Sequence, residues 1–143
     1  MTVLRNNLLL FFLIGLFICP GLLFAGDKIS STTTPVYGVD GSIEVTNVIE
    51  YSGNISAMAI RINLPDNVEF ISASSDFPPA IAPRKGDTGL LEFAWVTTPQ
   101  SPFTFTYSVA TYDNATGNID TEINYRRNAG ALYHSLSPVT VSK

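Results

Sequence analysis

One cysteine, one histidine and one tryptophan in 143 residues leave little material for an active site. A serine triad would have to be built on His134, and Ser135 and Ser137 stand too close to it along the chain to be set opposite its ring. Neither a GxSxG elbow nor a Gly-rich phosphate loop is present. A zinc site would need more than a single histidine without cysteine. Two carboxylates suffice for glycoside hydrolysis, but the usual scaffolds are much larger and no Asp/Glu pair is set apart by its surroundings. The turn Asp113–Asn118, DNATGN, has oxygen ligands at both ends. Ala115 and Gly117 occupy positions where a calcium loop would need acids, and turn chemistry alone accounts for its Asp, Asn and Gly. The expectation is a protein that is not an enzyme, with no cofactor and no metal.

Basic clusters are equally scarce. Only Arg84-Lys85 and Arg126-Arg127 pair up, both read as solvated surface, and the chain carries a net charge of -4. An acidic domain of this kind would make phosphate contacts against its own field, so nucleic acid is not an expected partner.

The long apolar run stands at the N-terminus. Met1–Asn7 is polar with Arg5, Leu8–Ile18 is unbroken apolar, Pro20-Gly21 would break a helix, and Leu23-Phe24-Ala25 ends on a small residue. This is the layout of a secretory signal peptide, residues 1–25, cleaved after Ala25. A retained membrane anchor is the other reading, but the run is shorter than the roughly 20 residues a spanning helix needs. Lipid modification of Cys19 is a third, and there Ile18 stands where lipoprotein signals usually have Gly, Ala or Ser. Cleavage would leave no cysteine, so no disulfide could support the fold. It would also remove Arg5, leaving seven Lys/Arg against twelve Asp/Glu. The remainder is expected outside the cytoplasm, secreted or at the cell surface, with no membrane contact of its own.

Beyond Ala25 the chain reads as strand after strand. Residues 26–40 form a polar leader with one short edge strand near Val36–Val39, and 41–143 the folded domain. Ser42–Tyr51 sets Ile43, Val45 and Ile49 against Glu44, Thr46 and Glu50, and Ile55–Leu64 alternates again. Val68–Ser74 is a further strand. Ser75–Thr88 is a fourteen-residue loop with three prolines, long enough to be a place for function. Gly86–Ala110 reads as a hairpin: Leu91, Phe93 and Trp95 share one face of its first strand, and Phe103, Phe105, Tyr107 and Val109 one face of its second. Ile119–Arg127 and Leu132–Ser142, broken by Pro138, complete seven or eight strands without a helical pattern. One-faced sheets bury their apolar sides only against one another, which predicts an all-β, immunoglobulin-like or cohesin-like antiparallel β-sandwich.

Five aromatics, Trp95, Tyr107, Tyr112, Tyr125 and Tyr133, could form a platform on which sugar rings stack. Trp95 has the strand parity of Leu91 and Phe93, which favours the core, whereas Tyr112 and Tyr133 lie near turns and are expected to be exposed. Tyr112, Tyr133 and Trp95 are the candidate ligand-binding residues.

The segments Val45–Leu64 (VTNVIEYSGNISAMAIRINL), Gly86–Val96 (GDTGLLEFAWV) and Pro102–Ser108 (PFTFTYS), followed by Gly117–Arg126, resemble a bacterial extracellular module of the cohesin-like, carbohydrate-binding-type β-sandwich superfamily. The resemblance implies a non-catalytic recognition module whose partner is a polysaccharide or an extracellular protein. A structural subunit of a surface assembly, joined through edge strands, is the alternative, and a sheet edge lacking Lys, Pro or a bulge would favour it.

Overall fold

The computed structural model describes residues 28–143; the expected signal segment, with Arg5 and Cys19, lies outside them. Alternation in the sequence becomes strand throughout. The strands are β1 (Ile29–Tyr37), β2 (Ser42–Tyr51), β3 (Ala57–Asn63), β4 (Val68–Ser75), β5 (Leu90–Trp95), β6 (Phe103–Thr111), β7 (Thr116–Arg127), β8 (Gly130–Ser135) and β9 (Val139–Ser142). They form two antiparallel sheets, one ordered β1-β2-β6-β4 and the other β5-β3-β7-β8, with β9 pairing the start of β7. The described residues are thus an all-β sandwich of nine strands, one more than the upper expectation, because Pro138 divides the last segment into β8 and β9.

Two further expectations are corrected. The stretch expected as a leader is mostly strand: β1 runs in register along β2 from Ile29↔Tyr51 to Tyr37↔Ile43, and no strand covers Val39. Its Ser/Thr composition hid it, since an edge strand with little buried surface shows no apolar alternation. The stretch expected as a hairpin is not one. β5 pairs β3, whereas β6 pairs β2 and β4 in the other sheet. The seven residues Val96–Pro102 between them are long enough to cross the roughly 10 Å between packed sheets. The expected facing nevertheless holds, and the two aromatic faces meet across the core. The Phe93 and Phe105 rings lie 4.9 Å apart edge to face, and Trp95 packs edge-on against Phe103 at 6.1 Å and Phe105 at 5.9 Å.

The loop between β4 and β5 has a structural task. Ala80 and Ile81 donate their N–H groups to the Ala94 carbonyl, and Ala94 donates back to Ile81, so the loop adds a bridge to the outer edge of β5. Further along, Phe70 donates to the Asp87 carbonyl and Gly86 to the Phe70 carbonyl, beside the register shift of β4 between Phe70 and Ser72. One loop therefore covers the edges of both sheets on one side of the sandwich.

Candidate functional site

The outward residues of the β5-β3-β7-β8 sheet form a grid whose rows follow from strand register. One row holds Ala57, Arg126 and Ala131, the next Ala94, Ala59, Asn124 and Tyr133, and the third Glu92, Arg61, Glu122 and Ser135. Small side chains at Ala57, Ala59, Ala94 and Ala131 leave a shallow groove of ≈ 380 Å³, with Asn124 and Arg126 at its border. Beside it, Arg61, Asn63, Leu90, Asp120, Glu122 and Ser135 line a second depression of ≈ 360 Å³. The face is about half apolar and half polar. Its polar groups are held in place: Asn124 Nδ2 donates to Glu122 Oε1 at 2.8 Å, and the Arg61 guanidinium lies 3.4 Å from Glu92 Oε1. A flat apolar floor beside carboxylate, amide and guanidinium groups suits a ligand that has both ring faces and hydroxyls.

The predicted aromatic platform is not assembled. Trp95 is only 6% exposed; its indole N–H donates to the Phe77 carbonyl at 2.6 Å, and only its border reaches the alanine groove. It is a core residue, as its parity favoured, and is withdrawn as a stacking surface. Tyr107 is fully buried, and burial pushes its phenol up to about 12. Tyr125 is half-buried against the core, with the Arg127 guanidinium 5.5 Å from its ring centre. Tyr112 and Tyr133 are exposed, at 50% and 71%. They belong to different sheets: Tyr112 follows β6, while Tyr133 lies on β8 opposite Asn124. The Tyr112 hydroxyl donates to Glu69 Oε2 at 2.9 Å, and that bond raises the phenol above its usual range. Of the two exposed candidates, Tyr133 stands in the grid, opposite Asn124, and Tyr112 does not.

Sequence reasoning missed the grid itself. Its signal was in the strand pattern, where Ala57, Ala59 and Arg61 alternate with Met58, Ile60 and Ile62. Alanine on an outward face has no aromatic or charge to draw attention. One of the basic pairs is also corrected: Arg127 is buried and donates to the Ser52 carbonyl at 2.7 Å, whereas Arg126, Arg84 and Lys85 are exposed. His134 is met by Ser31 Oγ at 3.2 Å from Nε2, a residue of β1 rather than its sequence neighbours. Among the described residues no carboxylate is hydrogen-bonded to this ring, so the pair lacks the orienting acid of a triad. No group of three or more His, Cys, Asp or Glu could hold a metal among them either.

No family model matches the chain, and no characterised protein matches it in sequence. Among solved structures, the GAE domain of GGA2p from Saccharomyces cerevisiae is similar over 80% of this chain and 90% of its own, at 8% identity and a TM-score of 0.44. A DUF4466 family protein from Parabacteroides merdae gives 13% identity and a TM-score of 0.46, over 81% of this chain and 45% of its own length. The yeast GGA1 GAE domain gives 10% identity and 0.43, over 85% and 96%. At these scores the likenesses carry no argument about what this chain does.

Proposed function

We propose that this protein is an exported, non-catalytic recognition module of the carbohydrate-binding type, and that it binds a polysaccharide along the outer face of its β5-β3-β7-β8 sheet. The observation that carries the reading is the alanine-floored groove bordered by Asn124 and Arg126, with Tyr133 opposite Asn124 in the neighbouring strand and the polar row of Glu92, Arg61 and Glu122 beside it. Small side chains let a sugar ring approach the sheet closely, Tyr133 offers a ring at one end, and the charged row offers donors and acceptors to hydroxyls. Export rests on the N-terminal layout of residues 1–25. A cohesin-like protein adaptor is the rival use of the same face.

The test is retention on insoluble polysaccharides and on an envelope extract, with and without calcium. Retention on a glycan should fall about tenfold or more with Tyr133→Ala and with Asn124→Ala, and stay unchanged with Tyr112→Ala, which lies on the other sheet. Equal loss from Tyr112→Ala, or capture of a protein in place of every glycan, would overturn the glycan reading.

A further inference from the structure

Among the described residues β1, β4, β5, β8 and the short β9 each have a single strand partner; the Thr140 carbonyl of β9 accepts from the Tyr37 hydroxyl, and three of the other four edges are guarded. The outer edges of β4 and β5 carry the loop bridges at Phe70 and Ala94. In β1, the Ser52 N–H donates to the Lys28 carbonyl and the Gly38 N–H to the Ser42 carbonyl, so even-numbered residues face β2 and Pro35 stands at an outward-facing position. A proline there removes one free donor from that edge, a known guard against strand addition. β8 has no Lys, no Pro and no bulge. The Leu136 N–H donates to the Thr121 carbonyl, which sets the alternation along this ladder. Leu132 and His134 turn their backbone groups to β7, and Ala131, Tyr133 and Ser135 turn theirs outward.

We infer that β8 pairs with β8 of a second copy of this chain, antiparallel about a two-fold axis through Tyr133, joining two sheets into one. A two-fold interface must be complementary to itself, and this strand is. With Tyr133 opposite the partner's Tyr133, Ala131 falls opposite the partner's Ser135. No charges meet within the strands. One row further in, register aligns the sequence Arg126, Ala131, partner's Ser135, partner's Glu122. Arg126 and the partner's Glu122 are then about 14 Å apart at the backbone, three strand spacings, with only small side chains between two long ones of opposite sign. The symmetric contact repeats this on the other side of the axis. Both Tyr133 rings come together at the centre of the outer face.

Light scattering across a concentration series, on protein obtained from the full sequence, reads the outcome without any glycan. The wild type should show a concentration-dependent dimer. Tyr133→Pro should shift it to monomer, with a melting temperature equal to the wild type's at dilutions where the wild type is monomeric, because that N–H makes no bond inside the molecule. A charge series keeps the idea testable should the proline disturb the strand. Glu122→Lys and Arg126→Glu should each weaken the dimer about tenfold, and the double swap should restore it. A wild type that stays monomeric up to about 1 mM, the range in which weak interfaces populate, overturns the inference. So does a dimer indifferent to all four variants. A dimer weakened by the single swaps but not restored by the double swap would overturn the two-fold register.

Discussion

The two long sides of the sandwich are built differently. On the side of β4 and β5, the space between the sheets is filled by rings: Phe70 packs edge-on against Phe93 at 5.8 Å, and Trp95 stands beside them with its indole tied to the covering loop. On the side of β1 and β8 the gap is crossed by a polar contact, Ser31 with His134. The polar side chains behind it tie strands of one sheet together: Thr33 of β1 donates to the buried Asn47 Oδ1 of β2 at 2.9 Å, and Asn47 Nδ2 donates to the Phe105 carbonyl of β6 at 3.5 Å. Apolar burial scales with area, whereas a hydrogen bond exchanged with water contributes only about 1 kcal/mol net. The aromatic side therefore holds the sheets together, and the hydroxylated side mainly fixes their register. That division leaves β8 free to serve another chain.

The largest expected effect comes from emptying the aromatic side. Phe70→Ala should cost about 3–5 kcal/mol by denaturant titration, against less than about 1 kcal/mol for His134→Ala on the other side. Similar losses from both would erase the contrast. Next is the core that both sides share. Tyr107, on the central strand β6, has its phenol raised by burial to about 12 from an unfolded value of 10.0. A raised folded value means the neutral form is favoured in the fold, so this stabilisation is complete below pH 10 and is lost as pH climbs towards 12. The loss is roughly 2–3 kcal/mol over that window. Melting temperatures should fall there more steeply for the wild type than for Tyr107→Phe, and parallel curves would refute the assignment. Smaller again is Trp95→Phe, which removes the indole donor to the Phe77 carbonyl while keeping most of the ring. About 1–2 kcal/mol should go, accompanied by faster hydrogen exchange at Ala94 and Ile81, since the loop cover loses its tether. Unchanged exchange at these amides would show that the loop holds the edge by itself.

How much of the fold was legible in the sequence depends on where apolar side chains sit. β2, β3 and the inward faces of β5 and β6 were readable because burial on one face forces period-2 alternation. Strand partners were not, since Phe93 and Phe105 face inward equally well from a hairpin or from opposite sheets. β1 was nearly invisible because, beyond Ile29 at its start, the side chains at its inward parity are Ser31, Thr33 and Pro35. The same polarity explains why Asn47, at the inward parity of Val45 and Ile49, reads as an interruption: its partner Thr33 comes from a strand the pattern does not reveal. Of the candidate site, Tyr133 could be placed by its nearness to a turn. The alanine floor could be found only once register had brought four strands together.

The smallest effect is the one that separates register from stability. Ser31→Ala removes the hydroxyl that meets His134 Nε2 at 3.2 Å in a half-buried place, so about 0.5–1 kcal/mol should be lost. Its consequence should be local. β1 has one neighbour in its sheet, β2, and reaches the opposite strands through Ser31 at one end and the Tyr37 hydroxyl, which donates to the Thr140 carbonyl, at the other. Amide exchange along Ile29–Thr34 should therefore quicken while Val68–Phe70 on the aromatic side keeps its protection. A drop in protection spread evenly through both sheets would mean that the polar bridge carries global stability after all. Loss confined to β1 would confirm that the hydroxylated side positions an edge strand over a core held from the other side.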